Sequence, residues 1–435
     1  MLTPIIWKDL NKKQQEALLQ RPVLQNENLA QQVQNIITKV QEGGDAAVKA
    51  LTQQYDGISL DNLQVTDQEF IEASQNISPK TLTALQRAIK QIQAFHIQQK
   101  PENIRVETAP GIICERQTRA IQRVGLYIPG GSAPLVSTVT MLGVPAKIAG
   151  CPLRVLCTPP RKDGRIDPHI LVAAQLCDIQ KVYKVGGAQA IAAMAYGTET
   201  IPKVDKIFGP GNSWVTQAKI NVAQDVAGAI YDMPAGPSEV LVIADETANP
   251  EFISADLLSQ AEHGADSQVI LLCTDTKVAA AVGLALEKQL RLLSRKEIAI
   301  QSLKNSSLIL VANIASALQI SNRYAPEHLI LQVKDARQYI DKIECAGSVF
   351  IGAYSPESAG DYASGTNHVL PTYGYPKSLS GLGVADFLKS ITFQELSYEG
   401  LADIAETIRA LTQVEGLDAH QLAVDIRLKI NGDQQ

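Results

Sequence analysis

The 435-residue sequence predicts an α/β fold: two successive Rossmann-like βαβ layers with parallel sheets, plus small N-terminal and C-terminal helical segments. Three observations predict it. Short apolar runs recur at Gly125–Pro129, Arg154–Thr158, Lys181–Val185 and Lys206–Phe208, and each interval holds one helical pattern. A second series follows at Glu239–Ala244, Gln268–Thr274, Leu308–Ala312, His328–Val333 and Ser348–Ile351, its longer gaps holding helical patterns at Pro250–His263 and Thr276–Leu293. Finally, Gly-bearing turns stand where first-series strands should give way to helices: Pro129-Gly130-Gly131-Ser132, Gly186-Gly187-Ala188-Gln189 and Gly209-Pro210-Gly211-Asn212.

The other elements follow in order. Leu29, Val33, Ile36, Ile37 and Val40 recur at helix spacing, and Gly43-Gly44 interrupts that run. Leu82, Leu85, Ile89, Ile92 and Phe95 mark a second amphipathic helix, ended by Pro101. Between Ile104 and Arg119 the pattern is strand, turn (Ala109-Pro110-Gly111), strand, which reads as a hairpin. Beyond Gly381-Leu382-Gly383 the chain should be helical again. Leu401, Ile404, Ala405, Ile408 and Leu411 share one face, and Asp418 is placed to cap a last helix running to Lys429, before a frayed tail.

Composition narrows the function classes. The chain is 45% hydrophobic and 19% charged, a globular balance, and is too long for a single compact core. Its net charge is -6 and its basic residues are dispersed, only short pairs such as Arg161-Lys162 occurring, so no nucleic-acid partner is expected. Trp7, Lys8 and Asp9 stand where an export signal would be apolar, and no run of about 18 uncharged apolar residues exists. A cytoplasmic protein with no membrane partner is the expectation. Six scattered cysteines, none in a CxxC pair, read as buried free thiols.

Four places could carry chemistry. The Gly turns let backbone amides approach a ligand at helix N-termini, which suits a dinucleotide, although the GxGxxG fingerprint is missing and such turns can serve sterics alone. Gln260 and His263 lie three apart on one helix and can share a ligand; a purely structural pair would look the same. Asp256 on that face reads as a solvated or locally paired acid. Ser358 to His368 is a loop dense in small and polar residues, including Asp361, and reads equally as a turn-rich connection or a binding loop. Ala325-Pro326-Glu327-His328 sets a carboxylate beside an imidazole at a strand start, a pair able to move protons if buried and unremarkable if exposed.

Longer motifs now coincide with these places: Gly125–Leu135, Ile207–Asn212, Met233–Glu239, Leu257–Gly264, Ala325–Leu329, Gly360–Pro371 and Glu415–His420. In that order they resemble the histidinol dehydrogenase family over essentially the full chain. The resemblance implies an NAD-linked, two-step oxidation of L-histidinol through L-histidinal to L-histidine. It implies one zinc per subunit held by Gln260, His263, Asp361 and His420. His328 would be the base and Glu327 the activator of water. Ser238, Gln260, His263, His328, Asp361, Glu415 and His420 would contact substrate, with Glu357 and His368 lining the pocket, and Tyr127, Gln189 and Asn212 would contact NAD. It further implies an intertwined homodimer in which the C-terminal domain completes the neighbour's site. The corresponding domains are an N-terminal helical arm (1–22), a main α/β domain (23–127 with 238–380), a second α/β domain (128–237) and a small C-terminal domain (381–435).

Three rivals remain at this level. A related zinc- and NAD-linked dehydrogenase could act on another alcohol, such as a sulfonated diol, but Glu415 suits a cationic rather than an anionic substrate. A cysteine thiohemiacetal route would call on Cys114 or Cys151, neither of which has a visible activating partner. A non-catalytic nucleotide or zinc binder would have no use for Glu327–His328.

Overall fold

The computed structural model describes residues 3–22, 28–130, 134–234 and 236–432. Gly131 and Ser132 of the first Gly turn, Ala235 of the Met233–Glu239 motif and Asp433–Gln435 of the tail lie outside the described residues.

Fourteen strands are formed among the described residues: β1 (Pro4–Ile6), β2 (Ile104–Ala109), β3 (Ile112–Ala120), β4 (Arg123–Tyr127), β5 (Leu153–Thr158), β6 (Lys181–Lys184), β7 (Lys206–Phe208), β8 (Ile230–Tyr231), β9 (Glu239–Ala244), β10 (Gln268–Cys273), β11 (Ser307–Leu310), β12 (His328–Gln332), β13 (Ser348–Ile351) and β14 (Leu388–Leu396). They make three sheets. The order β6-β5-β4-β7-β8 is all parallel, as is β1-β11-β10-β9-β12-β13. In both, the first strand of the βαβ series is central, and the chain winds first one way and then the other, so both have a topological switch point: β4/β7 and β9/β12. The third sheet, β14-β3-β2, is antiparallel.

The central strands explain why parallel sheets form. Every residue of β9, β10 and β12 is buried, as expected where helices cover both faces. Helices Pro250–Ala261 and Thr276–Leu290 supply Ile253, Leu257, Val278 and Val282 to one of these faces.

The chain divides into two compact units: Met1–Gln99 with Ile121–Phe387, which holds both parallel sheets, and Lys100–Ala120 with Leu388–Gln435. The second contains the antiparallel sheet and helices Tyr398–Glu415 and Asp418–Gly432, joined by an Arg409–Asp425 ion pair at 2.7 Å.

Most expected elements appear, among them the 104–119 hairpin and a 29–56 helix kinked at Gly44 (φ 51°). Two expectations change. The N-terminal arm is not only helical: besides helix Lys12–Leu18 it carries β1, which pairs with β11. After Gly383 the chain forms β14 before any long helix; eight of its nine residues are exposed, so no apolar run announces it.

Candidate active site

The carboxyl edge of the five-stranded sheet borders a cavity of about 710 Å³ lined by Tyr127, Gly187, Gln189 and Asn212, among others. Helices Gly187–Tyr196 and Ser213–Gln224 both begin here, so free amides and the positive ends of two helix dipoles flank the space. Asn212 caps the second helix, accepting from the Val215 N–H at 3.1 Å, and the Tyr127 hydroxyl accepts from the Gly187 N–H at 3.0 Å. Gly209 has φ 115°, and a Cβ there would meet the Tyr127 carbonyl oxygen at 2.1 Å, so only glycine fits. The buried pair Lys219–Asp232 (2.8 Å) secures this turn, Asp232 accepting from the Gly209 N–H at 2.8 Å. Arg161 and Lys162, an ordinary basic pair in the sequence, line the same cavity.

The second constellation lies at the amino edge of the six-stranded sheet. Glu239 opens β9 and His328 opens β12, its neighbour across the switch point, with Ser238 and Glu327 just before them. Helix Pro250–Ala261 runs back from the far end of β9, so its last turn delivers Gln260 here and the residues after it deliver His263. Helix Glu357–Tyr362 carries Glu357 and Asp361.

Here Glu327 and His328 are both buried. The Glu239 N–H donates to Glu327 Oε2 at 2.9 Å. His328 Nδ1 lies 3.0 Å from the Glu239 carbonyl oxygen and 2.9 Å from Gln260 Nε2, while Nε2 faces Asp361 at 3.9 Å. One ring nitrogen can serve only one of those two Nδ1 partners. A proton on Nδ1, donated to the carbonyl, leaves Nε2 with a free lone pair; accepting from Gln260 instead puts the proton on Nε2. Donor atoms of His263, Glu357 and Asp361 lie within 4.8 Å of one another. Glu357, expected only to line the pocket, is thus a member of the cluster.

Electrostatics mark the cluster as starved of positive charge. Burial pushes the carboxyl of Glu327 well above its usual range, and the charges of Glu239 and Asp361 add to this. Glu357 is raised likewise, by burial and then by Asp361, whose own carboxyl burial lifts to about 6. Burial pushes His328 down to about 3 and His368 to about 4, so both imidazoles are neutral at pH 7. Gln260 Oε1, Glu357 Oε2, His328 Nε2 and His368 Nε2 are buried without a hydrogen-bond partner. Nitrogen and oxygen donors, clustered carboxylates and unsatisfied lone pairs together fit a divalent cation such as zinc.

Glu415 and His420 belong to the second unit. Glu415 ends helix Tyr398–Glu415, and His420 lies in the first turn of the next helix; both are exposed. All six cysteines are free, and burial raises Cys151 and Cys273 to about 11 and Cys177 to about 12, away from the thiolate.

Twin parallel sheets, one flanked by helix N-termini and the other bearing a buried Glu–His pair beside a cation-type donor cluster, make an α/β protein with two candidate ligand sites, as an oxidoreductase of this architecture requires. The family model described as histidinol dehydrogenase matches residues 19–428. Curated histidinol dehydrogenases from Colwellia psychrerythraea and Vibrio vulnificus are 56% and 55% identical over 426 residues, covering 98% of this chain and of each relative. A crystal structure of histidinol dehydrogenase from Elizabethkingia anophelis superimposes with a TM-score of 0.95 at 48% identity, covering 99% of both chains. The chain belongs to the histidinol dehydrogenase family.

Proposed function

We propose that the chain oxidises L-histidinol through L-histidinal to L-histidine, with NAD and zinc, in the cytoplasm. The observation that carries this reading is the buried Glu327–His328 pair, its Nε2 unpartnered and facing Asp361, in a chain more than half identical to proteins named for that reaction.

Gln260, His263, Asp361 and His420 would hold the metal, and Tyr127, Gln189 and Asn212 the dinucleotide. Zinc supplies a Lewis acid that anchors the amino alcohol and narrows its orientations. NAD supplies the hydride acceptor for both oxidations. Neutral His328 takes the hydroxyl proton of the alcohol at Nε2. Glu327, as the carboxylate, then takes a proton from the water that adds to the aldehyde, while His328 returns its proton to the aldehyde oxygen. The again-neutral His328 takes a hydroxyl proton from the resulting hydrate as the second hydride leaves. Ser238, at the start of β9, and Glu415 bind polar groups of the substrate.

In this reading a second copy of the chain supplies Glu415 and His420. Support comes from the apolar surface around them: Leu411, Val414, Leu417, Leu422 and Ile426 are all large, hydrophobic and exposed in the single chain. Mixing inactive Asp361→Ala and His420→Ala proteins should restore part of the activity through heterodimers. No recovery despite demonstrated subunit exchange would assign each site to one chain.

The decisive assay is NADH formation at 340 nm with L-histidinol, paired with metal analysis. Two NADH per histidinol and one zinc per subunit are expected; a zinc-loaded enzyme inert toward histidinol would overturn the reading.

A further inference from the structure

We infer that Arg21, on the N-terminal arm, is a positioning residue for Glu327 and His328, acting through Glu239; this rests on the proton-transfer roles proposed above. Arg21 Nε and Nη2 donate to the two carboxylate oxygens of buried Glu239 at 2.5 and 2.9 Å. Nη2 also donates to the carbonyls of Tyr324 (2.9 Å) and Ala325 (3.1 Å), and the guanidinium stacks on the Tyr324 ring at 3.9 Å. The Tyr373 N–H donates a further bond to Glu239 Oε1 at 2.9 Å.

What this clamp holds is the backbone that orients the pair. The N–H of Glu239 bonds the carboxyl of Glu327, and its carbonyl is one of two partners of His328 Nδ1, the other being Gln260 Nε2. Ala325 has φ 55°, a left-handed conformation unfavourable for alanine, and it immediately precedes Pro326-Glu327-His328. Arg21 bonds the carbonyls of both Tyr324 and Ala325, and so fastens the strained turn to the start of β9. The sheet aligns His328 with Val240, but pairing alone does not choose which ring nitrogen carries the proton. A Glu239 carbonyl held at Nδ1 favours donation from Nδ1–H over acceptance from Gln260 Nε2, and so leaves Nε2 free as the base. A fork of two N–H groups plus a third contact is a task for guanidinium that an ammonium cannot reproduce.

Arg21→Ala should lower kcat by roughly 10- to 100-fold, as loss of outer-shell partners does, for the alcohol and aldehyde steps alike. Zinc content and KM for NAD should stay within about twofold of the parent, a split that a general loss of folding would not give. Millimolar guanidinium ion should restore part of the activity, and Arg21→Lys, which keeps charge and bulk, should still lose activity. Nitrogen-15 NMR of labelled histidines, with His328 assigned by His328→Asn, should show Nδ1–H in the parent and a shift toward Nε2–H in both Arg21 variants. Parent-like kcat and an unchanged His328 tautomer in Arg21→Lys would overturn the assignment even if Arg21→Ala does not fold. A parent enzyme inert toward histidinol would sink the functional reading instead, and the tautomer measurement would still decide the role of Arg21.

Discussion

The two parallel sheets share a strand order and differ in which end they use. In the five-stranded sheet, the cavity borders the carboxyl ends of β4, β5, β6 and β7, where an open α/β sheet ordinarily binds its ligand. In the six-stranded sheet, Glu239 and His328 sit at the amino ends of β9 and β12, again at the switch point but at the opposite edge. The two edges demand different side chains. A carboxyl edge is followed by helix N-termini, so it presents amides and requires glycine. An amino edge receives the last turns of helices, so its chemistry comes from side chains: Gln260 and His263 where one helix finishes, Glu327 and His328 where a strand begins.

If the edges divide the labour in this way, they should fail separately. The largest effect is expected from Asp361→Ala or His263→Asn, which should lose zinc and at least about 10³-fold in kcat together. Dinucleotide binding, read from quenching of Trp214 in the cavity, should survive. Loss of that quenching in the metal-free variants would merge the two sites into one.

Next comes Glu327→Gln, which should cut aldehyde oxidation by about 10²- to 10⁴-fold and spare alcohol oxidation, because only the second step needs activated water. Separate assays with histidinol and histidinal test this, and equal losses would break the division between Glu327 and His328. At the other edge Gly209→Ala forces a side chain against the Tyr127 carbonyl and into a left-handed backbone, at a cost of about 1–3 kcal/mol. A raised KM for NAD with unchanged zinc content is expected there; an unchanged KM would free the turn from any role in binding.

The same contrast decides what could be read from sequence. The carboxyl edge was legible, because Gly186-Gly187 and Gly209-Pro-Gly announce tight strand–helix turns without any knowledge of partners. At the amino edge, Glu327-His328 and Gln260/His263 were visible as pairs, but their burial and convergence depend on long-range packing that spacing does not encode. Only the family resemblance joined them. The Arg21–Glu239 pairing left no local signal: the two are 218 positions apart, and although Glu239 ends the Met233–Glu239 motif, nothing in that motif points to Arg21. β14 escaped for a related reason, since a strand with almost no buried residue has no alternation to detect.

The smallest effect expected comes from Asp256, which the sequence suggested to be a solvated or locally paired acid. It is 6% exposed, and burial lifts its carboxyl from 3.8 to about 6. An acid whose pKa is higher folded than unfolded binds its proton more tightly in the native state. Its stabilising influence is therefore greatest below about pH 4 and is lost as pH rises from there through 6. Above that range the folded protein carries a buried charge worth at most about 3 kcal/mol of destabilisation. Asp256→Asn removes the charge and can still accept from Gln332 Nε2, now 3.4 Å from Asp256 Oδ2, while offering a donor to the unpartnered Gln332 Oε1. The metal-free variant should therefore unfold later than the parent in urea at pH 8, with the advantage shrinking to near zero at pH 4. An advantage of the same size at both pH values would trace it to the new amide contact and not to charge.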